Sequence, residues 1–185
     1  MAKELGIHCY DRELLRMASE QSGINEALFG EVDEKVKSLP LFGISKKIYK
    51  GEIFPPESDD FVSDDNLFNY QAKIIKEVAA EESCVIIGRS ADYILKEQKP
   101  ILRIFIYSPE DVRIENVMKS HNFSAEDAKL FITEKDKRYH KRHLALTGSN
   151  RGDRHNRDML IDSSLLGVDG TAELIEEVAK KVFHE

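Results

Sequence analysis

Apolar residues fall along this chain in two rhythms: short unbroken runs, and longer stripes that recur every three or four residues. The runs are Ile7-His8-Cys9-Tyr10, Cys84-Val85-Ile86-Ile87, residues 101–107, and Met159-Leu160-Ile161-Asp162. A run without polar alternation suits a strand covered on both faces, as in a parallel sheet flanked by helices. The stripes read as amphipathic helices. Leu14, Leu15, Met17 and Ala18 predict one to Gln21, closed by Ser22-Gly23. A second, capped by Asn25, runs through Ala27, Leu28, Val32 and Val36. Leu67, Tyr70, Ile74, Ile75, Val78 and Ala79 predict a third over residues 66–82, and Ile175, Val178, Ala179, Val182 and Phe183 a last one.

Turn chemistry places the other boundaries. Residues 1–6 read as the final turns of a helix with Gly6 as its cap. A short helix follows Gly88 and reaches Lys96. Ser108-Pro109-Glu110-Asp111 opens another, with Ser108 as N-cap and Pro109 in the first position. Ser124-Ala125-Glu126-Asp127 is an acidic variant of the capping box, leading through Ala128, Phe131 and Ile132. Strands alternating with helices predict an α/β sandwich with a parallel sheet, in one domain over residues 1–185. Residues 38–65 are irregular, with Pro40, Pro55, Pro56, Gly43 and Gly51 and an acidic end (Asp59, Asp60, Asp64, Asp65). They read as a mobile insertion or substrate flap, or as a plain loop.

Composition narrows the setting. No apolar run approaches a membrane span and no signal-peptide pattern opens the chain. Cys9 and Cys84 read as buried thiols of a cytoplasmic protein. The net charge of −7 conceals a basic island: residues 135–157 hold eight Lys/Arg and two Asp, a local +6 against −13 elsewhere. A basic island in an acidic chain points to a small anionic ligand, whereas nucleic acid, which needs a long basic face, is disfavoured.

The candidate chemistry lies at two places. Gly88 permits a sharp exit from the Cys84 run and delivers Arg89 at the strand's carboxyl end, where open α/β sheets bind ligands. The planar guanidinium suits phosphate, and an ordinary strand-loop-helix corner with a solvated arginine is the equal alternative from this stretch alone. In the island, Arg138 and Arg142 are four apart and share a helix face, exposed to stabilise charge on transferring phosphate groups. Thr147-Gly148-Ser149-Asn150 reads as a flexible tip, so residues 133–157 form a helix-loop lid. His140, His143 and His155 lack the spacing of a metal site, and none is expected. No Gly-x-x-x-x-Gly-Lys-Ser/Thr loop occurs.

Asp11 after one strand, Gly88-Arg89 after another, Asp136-Lys137-Arg138 with Arg142, and the segment from Asp158 to Ser163 follow one another as in cytidylate kinases. Over residues 5–175 the chain resembles the bacterial cytidylate kinase-like branch of the P-loop nucleoside monophosphate kinases. The resemblance implies a P-loop-kinase-like three-layer sandwich with a parallel sheet and a helical lid. It implies ATP and Mg²⁺ as donor and cofactor, and a nucleotide or similar small phosphorylated or hydroxyl acceptor. Arg89 then matches the arginine that contacts the acceptor phosphate, and Asp11 an aspartate beside that site. Arg138 and Arg142 match lid arginines on the transferred phosphate, and Asp136 the residue that orients the lid. Cytidylate kinases carry an aspartate directly after the first arginine; Ser90 stands there, with Asp92 as the candidate substitute.

The family opens with a strand and a glycine-rich phosphate loop, neither of which is present here, so the usual first strand of the sheet is expected to be lacking. A truncated or late-started chain, inactive as a kinase, is the expectation. A non-catalytic nucleotide-binding or regulatory module is the alternative.

Overall fold

Four short strands and eight α-helices make up the described residues, 1–34 and 51–183, of the computed structural model. The chain is α/β, and its strands pair in parallel as two separate two-stranded sheets: β1 (His8–Tyr10) with β2 (Cys84–Ile86), and β3 (Ile104–Tyr107) with β4 (Met159–Asp162). Contacts gather the chain into two compact units. One comprises Ala2–Gln98 and Arg142–Ser149; the other comprises Met1, Lys99–Lys141 and Asn150–Glu185.

The first unit is organised by its helices. After α1 (Ala2–Leu5), Gly6 takes a left-handed φ of 67° and turns the chain into β1. Helix α2 (Glu13–Ser22) ends, as the sequence predicts, where Gly23 at φ 74° returns its N–H to the Ser19 carbonyl. The Asn25 side chain caps α3 (Glu26–Glu34), accepting from the Ala27 N–H at 2.9 Å. The expected continuation to Val36 lies outside the described residues, as do Pro40 and Gly43. Helix α4 (Asp64–Glu81) packs Leu67, Ile74, Ile75 and Val78 against α2 and α3 and forms the core of this unit.

Of the acidic end of the expected flap, Asp64 and Asp65 belong to α4 instead, while Asp59 and Asp60 lie in the turn before it. Ser63 is the N-cap, its hydroxyl accepting from the Asn66 N–H, and Asp64 and Asp65 occupy the first turn. Acidic residues there complement the positive end of the helix dipole. The loop before it is pinned from below: fully buried Asn66 accepts from the Phe54 N–H at 2.8 Å and donates to the Phe54 and Phe61 carbonyls at 3.2 and 2.7 Å. Asn69 donates to the Glu52 carbonyl. Side chains thereby satisfy backbone groups that no ladder reaches.

The second unit holds β3, α6 (Glu110–His121), the first part of α7 (Ala125–Thr147), a 3₁₀ turn at Arg154–Asn156, β4 and α8 (Gly167–Phe183). The capping box before α7 forms as expected: Asp127 donates its N–H to the Ser124 hydroxyl at 3.1 Å while that hydroxyl donates to the Asp127 carboxylate at 2.6 Å. Ser108 does not cap α6. Pro109, in extended backbone at ψ 151°, is the flanking residue, so Ser108 sits one position too early and its buried hydroxyl has no hydrogen-bond partner among the described residues.

Two further expectations fail. The Cys84 run was expected to be covered on both faces, yet β2 is half-buried and Ile87 is 49% exposed. Cys9 is exposed rather than buried, and Cys84 is half-buried, with its thiol pKa pushed up chiefly by burial.

Candidate functional site

Asp11 and Arg89 follow the two paired strands of the first unit at the same end. The register sets Tyr10 opposite Ile86, and the Ile87 N–H adds a further bond to the Tyr10 carbonyl at 2.9 Å. Asp11 therefore leaves the carboxyl end of β1 beside the turn that leaves β2. Asp11 is exposed. Buried Tyr10, just before it, donates its phenol to the Glu82 carboxylate, which together with burial pushes its pKa up to about 12.

The turn after β2 has an unusual backbone. Gly88, Arg89 and Ser90 take left-handed φ values of 71°, 56° and 54° in succession. A Cβ at position 88 would meet nothing within 4 Å, so the conformation, not crowding, calls for glycine there. For Arg89 and Ser90 the left-handed region costs about 1–2 kcal/mol each. The turn is closed by the Ala91 N–H on the Gly88 carbonyl and by the Tyr93 and Ile94 N–H groups on the Ser90 carbonyl, all at 3.0 Å. It leads into α5 (Ala91–Ile94), where Asp92 is half-buried in the first turn. Strain of this kind persists only where its surroundings enforce it, and it gathers at ligand-binding positions.

The end of α7 packs within the same unit. His143 is 6% exposed, with Nδ1 3.4 Å from the Ser90 hydroxyl and Nε2 3.5 Å from the Ser149 hydroxyl. Arg142, half-buried, directly precedes it. Thr147-Gly148-Ser149-Asn150, expected as a flexible tip, carries the helix cap. Thr147 is buried and donates to the His143 carbonyl at 2.7 Å, and Gly148 at φ 70° returns its N–H to the Leu144 carbonyl at 2.8 Å.

The second unit holds Asp136 and Arg138. Asp136 is gripped by Arg113 of α6 in a two-pronged ion pair, Nη1 to Oδ2 at 2.7 Å and Nη2 to Oδ1 at 2.9 Å. That pairing raises the Arg113 pKa. It ties α6 to α7, a concrete basis for an orienting role of Asp136, and Arg113 is a partner that sequence reading missed. Arg138 is half-buried rather than exposed, with its guanidinium 5.6 Å from the centre of the Tyr139 ring. Arg151 lies 5.2 Å from the same ring and 5.7 Å from that of Phe105, which Arg157 also approaches at 5.8 Å. Asp158 joins β4 to the start of β3, accepting from the Arg103 backbone N–H at 2.7 Å and from that guanidinium at 2.9 and 3.1 Å. Arg103 thereby holds the Asp158 carboxyl below its ordinary pKa.

Arg89, Asp92, Asp11 and Arg142 thus fall in one unit, Asp136 and Arg138 in the other. His143 carried a weak signal, as one of three neighbouring histidines whose spacing suits no metal site. Arg113 carried none.

Residues 1–165 match the model of the cytidylate kinase-like family, and the chain belongs to that family. Among curated relatives, a cytidylate kinase of Thermococcus sibiricus is 31% identical over 103 residues, 55% of this chain and 52% of that protein. One from Pyrococcus abyssi is 30% identical over 109 residues, 59% of each. The chain therefore spans little more than half the length of these relatives, which are archaeal although the sequence resemblance is to bacterial members. The crystal structure of an uncharacterized protein from Eubacterium ventriosum superposes with a TM-score of 0.68, covering 97% of this chain and 87% of that one at 22% identity, which shows a shared fold. No helix among the described residues is long and apolar enough to cross a membrane.

Proposed function

We propose that this member of the cytidylate kinase-like family is a nucleotide kinase by design, whose reaction moves the γ-phosphoryl group of ATP to a nucleoside monophosphate or a similarly small acceptor. The observation that carries the reading is the pair of residues leaving the carboxyl ends of β1 and β2: Asp11, and an arginine fixed in a left-handed turn. In that reaction an acceptor phosphate oxygen attacks the γ-phosphorus, and the bond to the β-phosphate oxygen breaks to release ADP. Arg89 grips the acceptor phosphate with its planar fork. Asp11 and Asp92 flank the acceptor. Arg142, in the same unit, offsets the charge that builds on the transferring group.

The donor half of the site is a different matter. The sequence holds no glycine-rich phosphate loop, whose backbone N–H groups would cradle the donor phosphates. Without that loop the residues present do not fit a bound ATP·Mg²⁺. These 185 residues are expected to bind acceptor without transferring phosphate. The two separate strand pairs support the further reading of a P-loop-kinase-like three-layer sandwich without its usual first strand. A cytoplasmic setting fits a nucleotide acceptor.

Calorimetric titration with CMP, UMP and AMP, each beside its uncharged nucleoside, tests the proposal. At least one monophosphate is expected to bind at least tenfold more tightly than its nucleoside. Equal affinities of every monophosphate and nucleoside contradict an acceptor-phosphate site.

A further inference from the structure

The strained turn after β2 needs a restraint. Two consecutive non-glycine residues, Arg89 and Ser90, sit in the left-handed region, and the three hydrogen bonds that close the turn come from the α5 segment alone. Those bonds belong to a helix of four residues, too short to be stable by itself. The restraint must come from elsewhere in the unit.

The buried imidazole of His143 meets the turn from α7, with Nδ1 at the Ser90 hydroxyl. A buried ring nitrogen without a partner is costly, and the Ser90 and Ser149 hydroxyls stand at the two nitrogens, 3.4 and 3.5 Å away. The surrounding bonds order the protons. Thr147 donates to the His143 carbonyl at 2.7 Å, so at 2.9 Å its oxygen accepts from the Ser149 hydroxyl, whose own oxygen is left to accept from Nε2–H. In the neutral ring Nδ1 then carries a lone pair, to which the Ser90 hydroxyl donates. The chain runs one way, from Ser90 through the ring to Ser149, Thr147 and back to the backbone of residue 143.

We infer that His143 is a positioning residue: as a neutral imidazole protonated at Nε2, it clamps Ser90 to the last turns of α7 and so holds the Gly88-Arg89-Ser90 turn in its left-handed form. Arg89 adjoins Ser90 and Arg142 adjoins His143, so the clamp fixes the backbone of one arginine to that of the other within a single unit. The clamp itself stands on the geometry; its value for acceptor binding rests on the function proposed above. It also gives Ser90 a role, since its hydroxyl is engaged by the protein.

Amide hydrogen exchange of the 185-residue chain separates the two parts. The Ala91, Tyr93 and Ile94 amides report the turn, and the amides of α4 report the rest of the unit. His143→Ala is expected to speed exchange at the three turn amides by about tenfold, with α4 protected as in wild type. His143→Asn, which keeps an acceptor near the Nδ1 position, should restore most of the protection. Should His143→Ala fail to fold, Ser90→Ala removes the same bond without touching the buried ring and is expected to give the same selective change. Unchanged turn amides, or equal acceleration in α4, overturn the clamp. In a parallel titration with CMP, weaker binding by His143→Ala than by His143→Asn is expected. If wild type binds none of CMP, UMP and AMP while the turn amides still respond, the nucleotide reading falls and the clamp stands.

Discussion

The turn after β2 and the unit of β3 and β4 place their arginines by different means. In the unit of β3 and β4, carboxylates do it: Asp158 takes both prongs of Arg103, Asp136 both prongs of Arg113, and Arg151 lies over aromatic rings. Such pairs fix strand to strand and helix to helix, so they act as structure first. At the turn after β2, the backbone of Arg89 is set in the left-handed region, and the neighbouring Ser90 hydroxyl meets the His143 ring. A carboxylate gripping a guanidinium makes a firm joint but competes with any incoming anion, whereas a strained turn braced through its neighbour sets the arginine's position while leaving that competition out of the brace. The first arrangement suits a scaffold, the second a ligand site.

The contrast can be broken from the scaffold side of the ligand-bearing unit. Asn66 carries three bonds to the backbone of the loop ahead of α4 and is fully buried. Asn66→Ala strands those groups, and the expected loss is about 2–4 kcal/mol, read as a fall in the denaturation midpoint. A loss below about 0.5 kcal/mol would show that the loop is held by something other than the buried amide.

A smaller effect sharpens the other side. The Asp158 carboxyl has its pKa lowered in the folded protein by Arg103, so it binds its proton less readily folded than unfolded. Its contribution is present above the unfolded value, near 3.9, and is lost as pH falls through the lowered folded value. Asp158→Asn is expected to cost about 1 kcal/mol at neutral pH, with the gap to wild type narrowing as pH drops below about 4. A gap that is constant from pH 7 to pH 2 would remove the charge from the explanation.

How much of this was legible depended on the range of the interactions. The boundaries of α2 and α7 rest on local chemistry, Gly23 at a left-handed position and Ser124 with Asp127, and the sequence showed both. Ser108 offered an equally good local signal and failed, because the extended Pro109 became the flanking residue. The Cys84 run looked like a doubly covered strand because its apolar pattern says nothing of how many strands lie beside it. Asp64 and Asp65 read as loop acids until Ser63 was seen to cap them. At the candidate site, Arg89 stands out by its position after an apolar run, and Asp11 only through the family resemblance. The left-handed turn around Arg89, the Arg113 grip on Asp136 and the contact of His143 with Ser90 join residues up to 53 positions apart, and no spacing in the sequence announces them.

The central claim, an acceptor-phosphate site built on the turn after β2, is tested most directly by titrating CMP into wild type and Arg89→Ala, with a thermal melt of each. Removing a two-pronged charge-assisted contact is expected to cost about 1.5–3 kcal/mol of binding, roughly 10- to 150-fold in affinity, while the melting temperature stays close to that of wild type. A melt that collapses while the folded fraction binds CMP as tightly as wild type would make Arg89 a structural residue and contradict the account.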